Sequence, residues 1–337
     1  AGAVVVGRTN MTEFAFSGLG INPHYGTPLN PWDRASGRIP GGSSSGAAVS
    51  VSDGMAVAGL GSDTGGSLRI PAALCGLVGF KPTASRVSAV GALPLSTSLD
   101  SIGAIAPGVA CCALVDAILS GDDTALPAAA PLRGLRLMVP TTLALDGMDA
   151  DVARCFERAL SRLSAAGALI TETPVPAFAR LGSINAKGGL VAAEAWAWHR
   201  PHLAAHADHY DPRVRSRILR GRDMSAADYI DVLHARTAWI AEVEALVAAH
   251  DAVVMPTVPV VAPTVAATGA TDEVYTATNL LILRNPTLIN FLDGCAISLP
   301  CHAPDEAPVG LMLAAPRHHD RRLVAMALAV EAALRTA

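Results

Sequence analysis

The chain has 337 residues, about half of them apolar, and a formal net charge of −4 with no basic block. That length can bury a sizeable core, and the charge balance leaves little basis for nucleic-acid binding through phosphate neutralisation. No apolar run approaches the roughly 18 residues that span a bilayer, because Pro256, Pro259 and Pro263 break the stretch 253–265, and no signal peptide is visible.

In chain order, Ala3-Val4-Val5-Val6-Gly7 is a short apolar run between glycines and reads as a buried strand. Up to about residue 120, glycine-rich turns alternate with apolar runs such as 55–60 and 74–80, an α/β pattern with loops at element ends. Residues 122–131, rich in alanine with two prolines, read as a surface connection. A strand at 135–139, a helix with an acidic start at 149–166 and a strand at 168–173 make a β-α-β unit. Residues 184–250 are mainly helical by pattern, with Ser225-Ala226-Ala227-Asp228 as a capped helix start and the charged stretch 213–223 as a solvated helix face. A strand follows at 251–255, and a last helix runs from about 320 to 334.

Two serine-bearing glycine loops carry the chemistry: Pro40-Gly41-Gly42-Ser43-Ser44-Ser45-Gly46 and Gly61-Ser62-Asp63-Thr64-Gly65-Gly66-Ser67. Glycine lets backbone approach a ligand closely, so a serine after Thr-Gly-Gly can attack a carbonyl while nearby N–H groups hold the oxyanion. The second loop runs into a helix start at 68–73, whose positive dipole end would face that oxyanion. Taken alone, the first loop could be a linker, and Ser67 could be a plain helix cap. The first loop also fits Gly-x-Ser-x-Gly, but 36–40 is not the strand that a nucleophile elbow requires. Neither loop ends in the Gly-Lys-Ser/Thr of a phosphate-binding loop.

Together with Gly7-Arg8-Thr9-Asn10-Met11, Asn30-Pro31-Trp32-Asp33, Cys75-Gly76, Gly79-Phe80-Lys81-Pro82-Thr83 and Ser98-Leu99-Asp100, these loops resemble the amidase signature family of serine amidohydrolases. Weaker similarity continues through 251–259, 285–300 and 309–312. The resemblance implies one α/β domain over 1–337, a mixed central sheet wrapped by helices. It implies Ser67 as nucleophile, Ser43 as bridging serine after a cis peptide bond, and an oxyanion hole from the N–H groups of Thr64, Gly65, Gly66 and Ser67. Ser44, Ser62, Asp63, Arg69 and Asp100 are expected to support the loops by hydrogen bonds, with contact to a substrate carboxylate as the alternative for Arg69. The family's catalytic lysine lies upstream of the segment that opens here at Ala1. Lys81 matches a position without a catalytic role, and Lys187 is the only other lysine. The expectation is therefore a chain lacking the N-terminal segment that carries the lysine.

Met11, Phe14, Phe16, Trp196 and His199 are candidates for the substrate pocket, with core packing as the competing reading. His199, His202, His206 and His209 recur at helical spacing, but Pro201 interrupts them and no carboxylate pair joins them, so no metal site is expected. Six cysteines without a CxxC pair read as reduced, apolar residues of a cytoplasmic protein.

The resulting expectation is hydrolysis of a small-molecule amide through a serine acyl-enzyme, without cofactor, started by a neutral lysine and fastest at neutral to alkaline pH. A homodimer and the identity of the acyl group and amine stay open. Two alternatives remain. One is the glutaminase subunit of a tRNA-dependent amidotransferase, although 280–285 lacks the acid that the resemblance would place there to hold glutamine. The other is a catalytically incomplete, amide-binding homologue.

Overall fold

The computed structural model describes residues 2–335. In chain order its elements are α1 (Ser45–Ser52), β1 (Gly59–Asp63), α2 (Arg69–Leu74), β2 (Val78–Lys81), β3 (Ser101–Ala106), α3 (Val109–Ser120), β4 (Arg136–Pro140), α4 (Ala150–Ala165), β5 (Leu169–Thr173) and α5 (Pro176–Ile184). They continue with α6 (Gly189–His206), α7 (Pro212–Leu219), α8 (Ala226–Val247), β6 (Ala252–Pro256), α9 (Val265–Thr268), α10 (Asp272–Phe291), β7 (Cys295–Pro300), β8 (Gly310–Ala315) and α11 (Asp320–Arg335).

The eight strands form one sheet in the order β1-β3-β2-β7-β8-β6-β4-β5. Pairing is antiparallel from β1 through β6 and parallel from β6 to β4 to β5. The parallel pair β4 and β5 is the expected β-α-β unit around α4.

Successive strand residues point to opposite faces, and both faces of this sheet are apolar because both are covered. Val254, Leu311 and Leu313 pack with Cys112 of α3, Phe156 of α4 and Leu323 of α11. Their neighbours Val253, Met255 and Met312 pack with Phe178 of α5, Trp239 of α8 and Phe291 of α10. The second face also carries α1 and α2 against Ile105 of β3, so both serine loops, which lead into those helices, lie on the side of α10. At the start of α8, Ser225 and Asp228 form the reciprocal capping bonds that the sequence predicted.

One sequence expectation fails. Val4, Val5 and Val6 are 84, 87 and 73 % exposed, and their backbone is irregular rather than a buried strand. The run has the side chains of a strand, but no strand among the described residues lies beside it to share a ladder. Strand propensity expresses packing against neighbours, not an intrinsic backbone preference.

Candidate active site

Asp63, the last residue of β1, organises the second loop. Its carboxylate accepts the backbone N–H of Gly66 at 2.7 Å, of Leu68 at 3.1 Å and of Arg69 at 3.4 Å. It also accepts Arg69 Nε at 3.0 Å, Arg69 Nη2 at 2.9 Å and Asn290 Nδ2 at 2.9 Å. Burial alone would raise this carboxyl, but the Arg69 guanidinium outweighs burial and holds it well below the usual carboxylate range. Arg69 is fully enclosed and spends its remaining donors on Pro286 O and Asn290 Oδ1 of α10 and on Met312 Sδ of β8. It is a support for the loop and has no surface to offer a substrate carboxylate.

This arrangement corrects two expectations. The Gly66 N–H is committed to Asp63, so it is not an oxyanion donor in this geometry. The amides of Leu68 and Arg69 at the start of α2 serve the same carboxylate, so that helix start faces Asp63 rather than an oxyanion. The N–H groups of Thr64, Gly65 and Ser67 have no acceptor among the described residues. Gly66 itself sits at φ +127°, and a Cβ there would come within 2.6 Å of Ile70 Cδ1 and Pro286 Cβ. Glycine is what permits this turn.

The first loop meets the second directly. The Gly42–Ser43 peptide is cis, as the sequence implied. Ser44 N–H donates to Ser67 O at 3.3 Å, and the Ser44 hydroxyl lies against Gly61 where a side chain would stand. Ser43 O accepts Thr12 N at 3.1 Å and Ser45 N at 2.8 Å. The Ser43 hydroxyl is fully buried without a partner, and so is that of Thr12, which lies against Gly42. Buried hydroxyls are normally paired, and here two without a partner flank one peptide. Ser67 Oγ likewise has no partner among the described residues.

Asp100 supports the loop from the other side, accepting Thr64 Oγ1 at 2.5 Å and the N–H groups of Leu95 and Ser96. Ser62, in β1, adds no side-chain bond to either loop. Neither lysine reaches Ser43. Lys81 is buried and donates to Pro82 O at 2.7 Å and Ser101 Oγ at 3.0 Å. Lys187 is exposed and paired with Asp228.

Of the pocket candidates, the structure brings Phe14, Phe16 and Trp196 together around Ala195 and Tyr210. His199 joins them, with its ring 4.5 Å from that of Phe14 and Nδ1 3.0 Å from Tyr210 Oη. Burial pushes His199 down to about 4, which keeps the imidazole neutral. Met11 is 41 % exposed and stands outside this cluster. Among the described residues no three His, Cys, Asp or Glu side chains converge, and no helix is long and apolar enough to cross a membrane.

In the sequence Arg217 is one charge among several in the stretch 213–223. Its Nη1 donates to Phe16 O, its guanidinium lies over the Tyr275 ring, and its Nη2 is buried without a partner. Phe16 leads to Gly18, whose carbonyl accepts Gly42 N, so Arg217 is tied through one short segment to the Ser43 loop. Sequence alone gives no sign of this, since the ends of the link lie about 200 residues apart.

Ser67 thus stands on a turn with unspent amides, in a loop bonded to the one that carries the buried Ser43. The Amidase family model matches residues 1–324. A 2-amino-5-chloromuconic acid deaminase of Comamonas testosteroni is 39 % identical over 332 residues, covering 98 % of this chain and 72 % of the relative. A glutamyl-tRNA(Gln) amidotransferase component of Streptococcus pneumoniae is 31 % identical over 366 residues, covering 98 % and 74 %. Among solved structures, an amidase matches with a TM-score of 0.86 at 31 % identity, over 98 % of this chain and 75 % of that one. An allophanate hydrolase of Kluyveromyces lactis matches with 0.86 at 25 % identity, over 97 % and 54 %. The chain belongs to the amidase family and is an enzyme of the amidase-signature fold.

Proposed function

We propose that the protein hydrolyses the C–N bond of a small carboxylic amide through an acyl-enzyme on Ser67. The observation that carries this reading is the contact of the two loops: Ser67 follows the unspent amides of Thr64 and Gly65, and the orphaned Ser43 hydroxyl lies in the loop bonded to Ser67 O. Ser67 gives its proton to Ser43 as Ser43 gives its own to the neutral lysine that the family resemblance implies, a role for which Lys81 and Lys187 are both engaged elsewhere. Ser67 Oγ attacks the carbonyl carbon, and the oxyanion takes the N–H groups of Thr64, Gly65 and Ser67. The C–N bond breaks as Ser43 passes a proton to the leaving nitrogen and takes one back from the protonated base. Water then attacks the ester carbonyl and releases the acid. The reading calls for no cofactor. The continuous sheet supports a single amidase domain, and five buried free thiols support a reducing compartment such as the cytoplasm.

The acyl portion carries a carboxylate in this reading, and the candidate to meet it is Arg217, whose enclosed Nη2 lacks an acceptor and would have to be uncovered by the substrate. The names of the Comamonas and Kluyveromyces relatives also denote acids as substrates. The glutaminase reading keeps the support of relatives at 31 % identity. Against it stands Leu283, which packs against Gly65 and Gly18 in a stretch without an acid.

The test is turnover of a panel of amides, with and without a carboxylate, together with glutamine. Hydrolysis that disappears in Ser67→Ala supports the reading. Persistent hydrolysis in that variant would remove Ser67 from its role, and preferential turnover of glutamine would favour the glutaminase. Amide binding without turnover by the wild type would favour the incomplete homologue.

A further inference from the structure

The last rung between β1 and β3 pairs Asp63 with Ser101. One residue further out, Thr64 Oγ1 donates to Asp100, so a side-chain bond extends the ladder onto the oxyanion loop. Asp100 is in turn wrapped by the loop 95–99 through the Leu95 and Ser96 amides. What holds that loop is a carboxylate on a different layer. Glu194 of α6 accepts Ser96 Oγ at 2.7 Å, Ser98 N at 3.0 Å and Ser98 Oγ at 2.5 Å, with Thr97 Oγ1 at 3.3 Å. Tyr229 of α8 donates at 2.8 Å to Oε1, the oxygen that also accepts Ser98 Oγ. Arg236 of α8 grips Ser98 O, and Leu99 is buried with Leu190 of α6 and Val232 of α8.

A half-buried carboxylate that accepts five hydrogen bonds from one loop and one neighbouring helix is a fixed point, because each bond to a charged acceptor is stronger than a neutral one. Burial alone would raise Glu194, but the Ser98 and Ser96 donors outweigh it and hold the carboxyl below its ordinary value, so it stays ionised.

We propose that Glu194 is a positioning residue for the oxyanion loop, acting through Ser96 and Asp100 on Thr64, so that α6 sets where the Thr64 amide points. The inference rests on the Ser67 reading for its catalytic meaning. The same helix carries Trp196 and His199, the pocket candidates. An acyl group seated against α6 therefore bears on the donor that receives its own oxyanion, which couples acyl fit to the chemical step rather than to binding alone.

Amide hydrogen exchange of the wild type, Glu194→Ala and Glu194→Gln tests this, read segment by segment. The expected result is exchange at least tenfold faster in 61–68 as well as in 95–100 for Glu194→Ala, a smaller change for Glu194→Gln, and no change in β7 and β8. On an amide substrate, kcat falls about tenfold with KM within twofold. Faster exchange confined to 95–100 and α6, with 61–68 as protected as in the wild type, would overturn the proposal. If Glu194→Ala does not fold, Ser96→Ala removes one link of the same chain and keeps the Ser96 amide on Asp100; it must loosen 61–68 in the same direction. Amide turnover that persists in Ser67→Ala would sink the Ser67 reading, and the exchange result would still decide the role of Glu194.

Discussion

Arg69 and Asp63 are joined by two hydrogen bonds of 2.9 and 3.0 Å, and neither side chain reaches solvent. The pair holds the turn that ends in Ser67, with Asp63 taking loop amides and Arg69 reaching Pro286 and Asn290 of α10. Removing one partner of such a pair leaves a buried charge uncompensated, which costs about 3–5 kcal/mol. Arg69→Met should therefore lose stability on that scale in urea unfolding and lose activity with it. Because the folded-state pKa of Asp63 is depressed, the pair's contribution is present above the ordinary carboxylate range and fades as pH falls through the folded value. Equal urea midpoints for the variant and the wild type would show that the pair is not holding the turn.

Gly66→Ala separates the turn from the chemistry. Its Cβ would meet Ile70 and Pro286 at 2.6 Å in a backbone conformation that alanine rarely adopts. Ser67 and the Thr64 and Gly65 amides would shift together, and a displacement on the order of 1 Å at a reacting group can cost about a hundredfold in rate. The expected outcome is a kcat lowered by roughly that factor, with a far-UV spectrum unchanged. Wild-type kcat would mean that the loop's position does not set the rate.

The parts of this site legible in the sequence are those whose residues are local. Ser67 and Thr64 sit in one glycine loop, Ser43 in another, and the 149–166 helix shows its apolar period within a few turns. Most of what the sequence missed depends on pairing between distant segments, the exception being the bond from Gly66 to Asp63 within one loop. Val4–Val6 has the pattern of a strand but no neighbour to share a ladder, and Gly66 looks like an oxyanion donor until Asp63 is seen to take its N–H. Glu194 and Arg217 sit in helical stretches where a charge ordinarily means a solvated face. Only the fold reveals that Glu194 meets 96–98 and Arg217 meets Phe16.

Arg217→Lys tests the carboxylate-bearing substrate. Lysine keeps the charge but loses the fork whose Nη2 is unpaired. A hydrogen bond to a charged group contributes about 1.5–3 kcal/mol, so KM for an amide bearing a carboxylate should rise roughly ten- to a hundredfold. KM for a neutral amide should change little. A parallel rise for both substrates would assign Arg217 to holding the Phe16 segment through its Nη1 bond and would remove it from substrate recognition.

Lys81 gives the alkaline stability profile a sign that can be checked. Burial, assisted by Arg69 and opposed by Asp63, lowers its pKa from 10.5 to about 8. The native state therefore sheds this proton earlier than the unfolded chain. Between about 8 and 10.5 the unfolded state binds more protons, so Lys81 makes stability rise with pH across that window. Below it, the protonated amine remains buried with Pro82 O and Ser101 Oγ as acceptors, and its burial opposes folding. Buried thiols act in the opposite direction, since Cys75, Cys112 and Cys301 are pushed up and the unfolded chain would lose those protons first. The comparison with Lys81→Met cancels those three thiols and leaves the lysine together with its coupling to Cys295. Urea unfolding at a series of pH values should show the variant's advantage over the wild type shrinking by up to about 1.4 kcal/mol per pH unit across the window. A difference between the two that stays flat from pH 8 to 10 would mean that Lys81 keeps its ordinary proton affinity in the folded protein.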